Sequence, residues 1–329
     1  MKHFSPLYVL RRLLSAALTL WIALTVIFLL PRMMGGDPAQ LFASQTSLGS
    51  AEYAELLRDQ WGLNDSLPVQ YARFFTNLAQ GNMGTSYSIY QASVTGIISK
   101  ALPWTLLIVV TSTLISFAIA WFFATIAALK KGGVFDRVVV GVSFYLRSVP
   151  YFFVAMLLLV CFGFYIKWFP ISHARSSGLT GDEGAFFTVI DVAYHAFLPC
   201  LSLIVVGLAG RLVVMRSNIL QIFSEDYITL AQAKGLKRGK ILSKYALRNA
   251  LLPSFTGLML SLGTAVGGAI TTELIFSYPG IGLTMYNAIL NSDYPLIQGC
   301  FTMLAISIVL MNFLADLIYP LIDPRVSLA

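Results

Sequence analysis

The side chains that could perform chemistry are few in this sequence, and their spacing forms no catalytic or metal-binding pattern. The three histidines, His3, His173 and His195, lie far apart and form no HExxH motif. The three cysteines are an odd number without a CxxC pair, so neither a disulfide framework nor a zinc site is expected. We therefore expect no catalytic residue, bound cofactor or metal site on this chain.

One glycine-rich stretch, residues 235–240, superficially resembles a phosphate-binding loop. Three residues separate Gly235 from Gly239, whereas that loop has four, and Ile241 stands where the loop requires a serine or threonine. The stretch is therefore not a nucleotide site. Any energy for work must come from a partner or from an ion gradient.

The composition is typical of an integral membrane protein, in which most of the chain lies in the lipid bilayer. Of the 329 residues, 57% are apolar and 11% are charged, whereas soluble domains are roughly 45–50% apolar and about 25% charged. The net charge of +7 falls in short clusters between apolar runs. This distribution is typical of membrane topology and argues against a nucleic-acid partner.

The positions of the elements follow from the apolar runs, because a bilayer-spanning helix needs about 20 mostly apolar residues. Six segments qualify: residues 13–30, a stretch within 101–129, 138–166, 192–210, a stretch within 251–272, and 294–315. Arg147 and Pro150 interrupt the third segment. Residues 13–30 could instead be a signal peptide, but the run is longer than a signal core and no A-x-A site follows. The sequence predicts an all-α membrane protein with six transmembrane helices.

The orientation follows from the basic residues, which are enriched in short cytoplasmic loops. Fifteen of the 22 Lys and Arg residues fall in one set of alternate segments and six in the other, and Arg147 lies inside a span. Both termini, residues 1–12 and 320–329, should therefore be cytoplasmic.

Two connections outside the membrane, residues 33–100 and 168–190, are too long to be simple turns. Residues 33–100 contain a Gly-Asp-Pro turn and two amphipathic stretches near 51–60 and 69–78, which predict a small extracytoplasmic cap. Residues 273–295 form a candidate re-entrant segment or outer gate, in which Pro279 and Gly280 fit the middle of a type II turn.

The long cytoplasmic segment, residues 215–253, predicts two short helices. Ser224 is expected to cap the first, and Gly235 is expected to end it in the left-handed conformation. Lys240, Lys244 and Arg248 recur every four residues on the second helix. The segment fits docking into a partner's groove and packing against the bundle about equally well.

The string from Asp226 to Leu236, followed by Arg248-Asn249-Ala250-Leu251-Leu252-Pro253, resembles the cytoplasmic EAA loop of binding-protein-dependent ABC permeases, most closely the oligopeptide/dipeptide permease family. Further landmarks occur in family order: Gly36-Asp37-Pro38, Gln70-Tyr71, Gly84-Thr85-Ser86, Ser148-Val149-Pro150, residues 273–282, Asp293-Tyr294-Pro295 and Asp323-Pro324-Arg325. The resemblance covers nearly the whole chain.

This resemblance implies a type I ABC importer permease fold in a bacterial inner membrane, with a first transmembrane helix at 13–32, a cap at 33–100 and a permease core at 101–319. The implied partners are a second homologous permease, two ATPase subunits that use ATP and Mg, an extracytoplasmic solute-binding protein and the lipid bilayer. The coupling role carries over to Ala231, Gln232, Ala233, Lys234, Gly235 and Leu236.

The substrate and the energy source stay open. The family imports peptides, and one branch imports β-linked oligosaccharides. Residues 144–153, 167–170 and 215–218 resemble the corresponding stretches of that branch. An ion-gradient carrier would depend on Glu273 and Asp316, and a structural subunit without a pathway is a further alternative. The candidate pathway or gate residues are Arg147, Ser148, Pro150, Glu273, Pro279 and Gly280, and the candidate helix-packing residues are Gly263 and Gly267. Arg147 could line the passage, pair with a carboxylate or extend to the interface.

Overall fold

The computed structural model describes residues 6–33, 36–45, 51–89, 92–176 and 184–322, apart from the side chains of 6, 238, 263–268 and 318–322. These residues form helices joined by short turns. In this described part of the chain, extended backbone pairs only at the isolated bridge between Thr85 and Ser93. The predicted all-α class is confirmed.

Four helices in the described residues are long and apolar enough to cross a bilayer. They are α1 (Pro6–Met33), α5 (Val94–Leu129), α8 (Ala185–Phe223) and α14 (Tyr294–Ile322). Each is longer than its predicted apolar segment. At 1.5 Å per residue the 39 residues of α8 extend for about 58 Å, so its ends must project beyond a hydrocarbon layer about 30 Å thick.

The third predicted span is broken rather than continuous. Helix α6 (Val134–Ser148) and helix α7 (Tyr151–Leu158), which continues as a π-helical turn (Leu159–Tyr165), meet at an angle of 97°. Val149 has extended backbone angles because a residue before proline is driven out of the helical region. Counted as one span, this pair gives up to five spans in the described residues.

The fifth predicted span corresponds to α11 (Arg248–Gly268), which is followed by the short helix α12 (Ile270–Ile275). The predicted packing pair, Gly263 and Gly267, lies outside the residues whose side chains the structure describes. Helix α13 (Ile281–Leu290) then leads into α14.

The cap contains the two predicted helices. Helices α2 (Pro38–Gln45), α3 (Ala51–Trp61) and α4 (Leu67–Ala79) follow one another, and α2 and α3 share a small apolar core. The Asp37 carboxylate accepts hydrogen bonds from the Ala39 amide at 2.9 Å and from Arg58 Nε at 2.6 Å. The Gly-Asp-Pro turn therefore starts α2 and fastens α3 to it.

After α8, helix α9 (Asp226–Ala233) is followed by α10 (Arg238–Lys240) and a π-helical turn (Ile241–Leu247). The predicted cap of α9 was wrong: its N-cap residue is Glu225. Ser224 instead ends α8, and its hydroxyl donates to the Gln221 carbonyl at 2.7 Å. The reason is that α8 runs further than its apolar stretch indicated.

A buried ion pair joins the start of α6 to α8. Asp136, which is 3% exposed, accepts from Arg216 Nε at 2.5 Å and Nη2 at 2.7 Å, and from the Gly132 amide at 2.9 Å. Such a two-pronged pair holds both planar groups in a single orientation. It therefore determines how α6 lies against α8.

We expect Asp136→Ala to destabilise the bundle by about 3 kcal/mol, because it leaves Arg216 without its buried partner. The double variant Asp136→Leu with Arg216→Met should cost less than Asp136→Ala alone. Thermal unfolding of the purified protein in detergent measures both, and Arg137→Ala at the exposed neighbouring position is the control. A double variant less stable than the single one would contradict this account of the pair.

Candidate functional site

The residues predicted to couple to a partner, 231–236, lie where α9 ends and the chain turns. We call this end of α9 the α9 corner. Helix α9 buries Ile228 and Ala231 against Ile241 and Ala246 of the following turn. The opposite side is free: Gln232, Ala233, Lys234 and Gly235 are exposed, and Leu236 is half-buried. The corner is thus anchored on one face and open on the other.

Gly235 closes α9 in the way its residue type predicts. Its φ is +70°, its amide donates to the Gln232 carbonyl at 2.9 Å, and the Leu236 amide donates to the Ala231 carbonyl at 3.3 Å. These two bonds are the Schellman motif, which favours glycine because other residues are strained at positive φ. The shape of the corner is therefore determined locally.

A hydrogen bond connects this corner directly to the bundle. The Asn249 side-chain amide donates to the Tyr227 hydroxyl at 3.0 Å, and Asn249 lies in the first turn of α11. This hydrogen bond therefore joins α9 directly to the start of α11. Sequence reasoning had both residues within its motif but did not predict that they are bonded.

At the opposite end of the bundle, the Glu273 side chain is fully buried. Its Oε1 accepts from the Thr105 hydroxyl at 2.6 Å, its Oε2 accepts from the Leu283 amide at 3.0 Å, and the Thr105 hydroxyl in turn accepts from the Ile281 amide at 2.8 Å. One carboxylate thereby joins α5, α12 and α13. The Glu273 side chain therefore holds these three helices together and does not face solvent. We call this set of hydrogen bonds the Glu273 tie.

The turn after Glu273 differs from the prediction. Gly280 has φ −92°, whereas the third position of a type II turn needs positive φ, so that assignment was wrong. Ser277, with φ +45°, is the left-handed residue. Gly280 must be glycine for another reason: a Cβ there would overlap the Glu273 carboxylate. Pro279, beside it, is exposed.

The break between α6 and α7 carries the other candidate pathway residues. Arg147, Ser148 and Pro150 are exposed there, and the Ser148 hydroxyl donates to the Phe144 carbonyl at 3.1 Å. None of the ion pairs between described residues includes Arg147. Pairing with a carboxylate, one of the alternatives for Arg147, is therefore not seen within the described chain.

Tyr151 links the break to the Glu273 tie. Its hydroxyl lies 2.9 Å from the Ser202 hydroxyl and also bonds the hydroxyl of Thr272, the neighbour of Glu273. The structure thus brings the two groups of candidate residues into one connected region through a residue that sequence reasoning missed. No local pattern marks Tyr151, because its partners lie 51 and 121 positions away.

A second buried carboxylate, Asp293, fastens the cap to the bundle. It accepts from the hydroxyls of Ser86 and Ser88 at 2.5 and 2.7 Å and from the Ser88 amide at 3.0 Å. Between these serines, Tyr87 stacks on Trp61 at 3.8 Å. Burial and the nearby Asp293 carboxylate raise the pKa of Tyr87, so its hydroxyl stays neutral. The loop at 86–88 is therefore held rigidly against α14.

These features define a class of protein before any comparison. The bundle has several helices of bilayer length, one sharply broken pair and an exposed helical corner on one face. Among the described residues no group of three or more His, Cys, Asp or Glu side chains could hold a metal ion. The molecule is an all-helical, multi-pass membrane protein.

Comparison with known proteins gives the family. The family model of binding-protein-dependent transport system inner membrane components matches residues 120–328, and the model for their N-terminal part matches residues 6–120. The chain belongs to this family, as its sequence motifs predicted. It is a permease subunit of an ABC transporter in the inner membrane and is not itself an enzyme.

Relatives match along almost their full length. The oligopeptide transport system permease protein AppB of Bacillus subtilis (strain 168) is 30% identical over 97% of this chain and 99% of its own. The dipeptide transport system permease protein DppB of Escherichia coli (strain K12) is 31% identical over 97% and 98%. The di/tripeptide transport system permease protein DppB of Pseudomonas aeruginosa (strain UCBPP-PA14) is 33% identical over 91% and 92%.

We expect Gly280→Ala to destabilise the protein by about 1–3 kcal/mol, because the added methyl group overlaps the Glu273 carboxylate. Gly141→Ala is the matched control, since nothing lies within 4 Å of a Cβ at that helical position. Thermal unfolding in detergent compares the two variants. Equal melting temperatures would contradict the packing of Gly280 against Glu273.

Proposed function

We propose that this chain imports di- or oligopeptides as the transmembrane permease of an ATP-driven importer. Its partners are a second homologous permease, two ATPase subunits that use ATP and Mg, and a solute-binding protein outside the membrane. The names of the relatives, which are oligopeptide, dipeptide and di/tripeptide permeases, support a peptide rather than a β-linked oligosaccharide. They do so because the similarity extends over nearly the whole of each chain.

The same proposal includes six spans with both termini in the cytoplasm. We assign the six crossings to the four long helices, the bent pair α6–α7 and helix α11. The excess of Lys and Arg beside α9 and between α5 and α6 supports this orientation, since positive residues are retained on the cytoplasmic side.

The observation that carries the proposal is the open face of the α9 corner, residues 232–235. A rigid helix end that is anchored on one side and free on the other fits insertion into a partner's groove. When the ATPases close, the corner moves, and the Tyr227–Asn249 bond and the packing of Ile228 on Ile241 transmit the displacement to α11. Helices that move as rigid bodies then expose the solute route alternately to each side.

The buried hydrogen bonds support a division of the bundle into helices that move together and points at which a helix can bend. Glu273 joins α5, α12 and α13 on the outer side, so residues 273–295 move together with α5. The break at Val149 and Pro150 is a point where a span can change its angle without breaking helical hydrogen bonds. We assign the outer gate to these two regions.

An ion-gradient carrier has less support. Such carriers place free carboxylates or histidines in the membrane to bind the coupling ion. Glu273 is bonded to Thr105 and Leu283, and Asp316 pairs with Arg12 at 3.2 Å. A purely structural subunit is also disfavoured, because the permease relatives match over nearly their whole length.

We expect Gly235→Asp to leave membrane insertion intact, abolish solute uptake and weaken ATPase docking by about 2 kcal/mol or more, which is a roughly thirtyfold change in affinity. The substitution strains a backbone with φ +70° and puts a negative charge on the docking face. Solute uptake by cells and co-purification of the ATPase measure the two effects.

Two controls separate the causes. Gly235→Asn keeps the left-handed backbone without the charge and should retain part of the activity. Gly132→Asn changes another left-handed glycine with open space around it, outside the proposed docking face, and should transport normally. Normal uptake by Gly235→Asp would rule out the coupling role of this corner.

The source of energy gives a further prediction. Purification of this chain should co-isolate ATPase subunits, and vesicles containing this chain alone should take up no solute when an ion gradient is applied. Full uptake by the isolated chain would instead establish an ion-driven carrier.

A further inference from the structure

Arg211 is a positively charged residue inside the bundle. It takes no part in the hydrogen bonds of Asp136, Glu273 and Asp293 described above. It lies on α8 between Leu208 and Leu212, on the side of the helix that packs with Ala120 and Ala124 of α5. Its side chain is half-buried, and its Nη1 donates to the Ser116 hydroxyl of α5. The guanidinium therefore sits at the α5–α8 contact.

The depth of this contact follows from the sequence of α5. Ser116 stands 13 residues after Pro103 and 13 residues before Leu129, within a run that has no charged residue. At 1.5 Å per residue it is about 20 Å from either end. The guanidinium bound to Ser116 therefore lies near the middle of the longest apolar run of the protein, whereas the count of basic residues in the sequence had placed Arg211 among the cytoplasmic ones.

A charge at this depth is expensive unless it faces a counter-ion, other protein groups or a water-filled passage. None of the ion pairs between described residues contains Arg211. Arg216, five residues further along the same helix, has a buried carboxylate partner in Asp136. In the described chain the Arg211 charge has a hydroxyl partner but no carboxylate, so it is free to meet a counter-ion from outside this chain.

The guanidinium of Arg211 occupies space that the absence of a side chain at Gly207 leaves open. A Cβ on Gly207, one turn earlier on α8, would lie 2.7 Å from Arg211 Nη1, so the missing side chain at Gly207 forms the notch in which the guanidinium rests. Only Nη1 bonds Ser116, and the N–H groups of Nε and Nη2 have no partner among the described residues. This planar fork matches the geometry of a carboxylate.

Arg211 also ends a row of hydroxyl groups along α5. Thr105, Ser112 and Ser116 are separated by seven and four residues, which places them on one face of the helix. All three are buried, and Thr105 belongs to the Glu273 tie at the outer end. Buried hydroxyl groups therefore recur on one face of α5 between the Glu273 contact and the guanidinium.

We propose that Arg211 lies on the solute route and binds a carboxylate of the peptide during its passage. This rests on the proposed function and narrows its substrate class to solutes that carry a carboxylate, such as peptides with a free C-terminus. A neutral oligosaccharide offers no counter-ion for this fork. Arg211 thus acts as a specificity-determining residue, and Gly207 and Ser116 position it.

The test uses the complete transporter, with its second permease, ATPases and binding protein, in vesicles. Uptake of trialanine is compared with uptake of its C-terminal amide, each delivered by saturating loaded binding protein. The same binding protein serves every variant, so its own preference cancels when acid-to-amide ratios are compared. We expect Arg211→Gln to lower this ratio about tenfold, because a charged hydrogen-bond partner is lost.

Three further variants define the cause. Arg211→Lys keeps the charge and should retain most of the preference for the acid. Gly207→Ala displaces the guanidinium without removing its charge and should lower the ratio in part, which keeps the test valid if Arg211→Gln does not fold. Arg137→Gln removes an equal charge from an exposed site on α6 and should leave the ratio unchanged.

Two results would each overturn the role of Arg211 but leave the proposed peptide import standing. One is wild-type peptide uptake with an acid-to-amide ratio that Arg211→Gln does not change. The other is an equal loss of both solutes together with loss of the second permease from the complex, which would make Arg211 an interface residue. Wild-type uptake of a neutral oligosaccharide but of neither peptide would overturn the peptide function and, with it, the carboxylate site.

Discussion

The hydrocarbon core of a bilayer offers no hydrogen-bond partner, so a buried charge inside the bundle is costly unless another part of the protein satisfies it. The architecture depends on this constraint. Glu273 and Asp136 each accept hydrogen bonds from groups of other helices. Each buried charge therefore prescribes which helices are neighbours, a specificity that apolar packing in lipid supplies only weakly.

The features that depend on short stretches of sequence could be predicted. Apolar runs gave the long helices, amphipathic spacing gave α3 and α4, and a glycine after a short helix gave the left-handed end of α9 at Gly235. Each of these signals is contained within a few turns of chain, where backbone propensity and the contrast between lipid and water decide the outcome. The family followed from the same local motifs.

The features that depend on distant partners could not be predicted. Nothing near Glu273 indicates that Thr105, 168 residues earlier, satisfies it, and Tyr151 gives no sign of its bonds to Ser202 and Thr272. Gly280 was assigned to a turn because glycine often means positive φ, whereas here the approach of a carboxylate requires it. Ser224 was misassigned because the apolar signal ended before α8 did. In each case tertiary packing determined the role of the residue.

Helix α1 packs along α14, although the two helices are far apart in the sequence. The Tyr8 hydroxyl donates to the Asp316 carbonyl at 3.1 Å, and Gln298 donates to the Phe28 carbonyl at 3.3 Å. During synthesis α1 enters the membrane well before α14 has been translated. Until then the face of α1 that contacts α14 is covered by lipid, so α1 must be stable in the membrane through its own hydrophobicity. A chain that stops before α14 leaves this face of α1 without its protein neighbour.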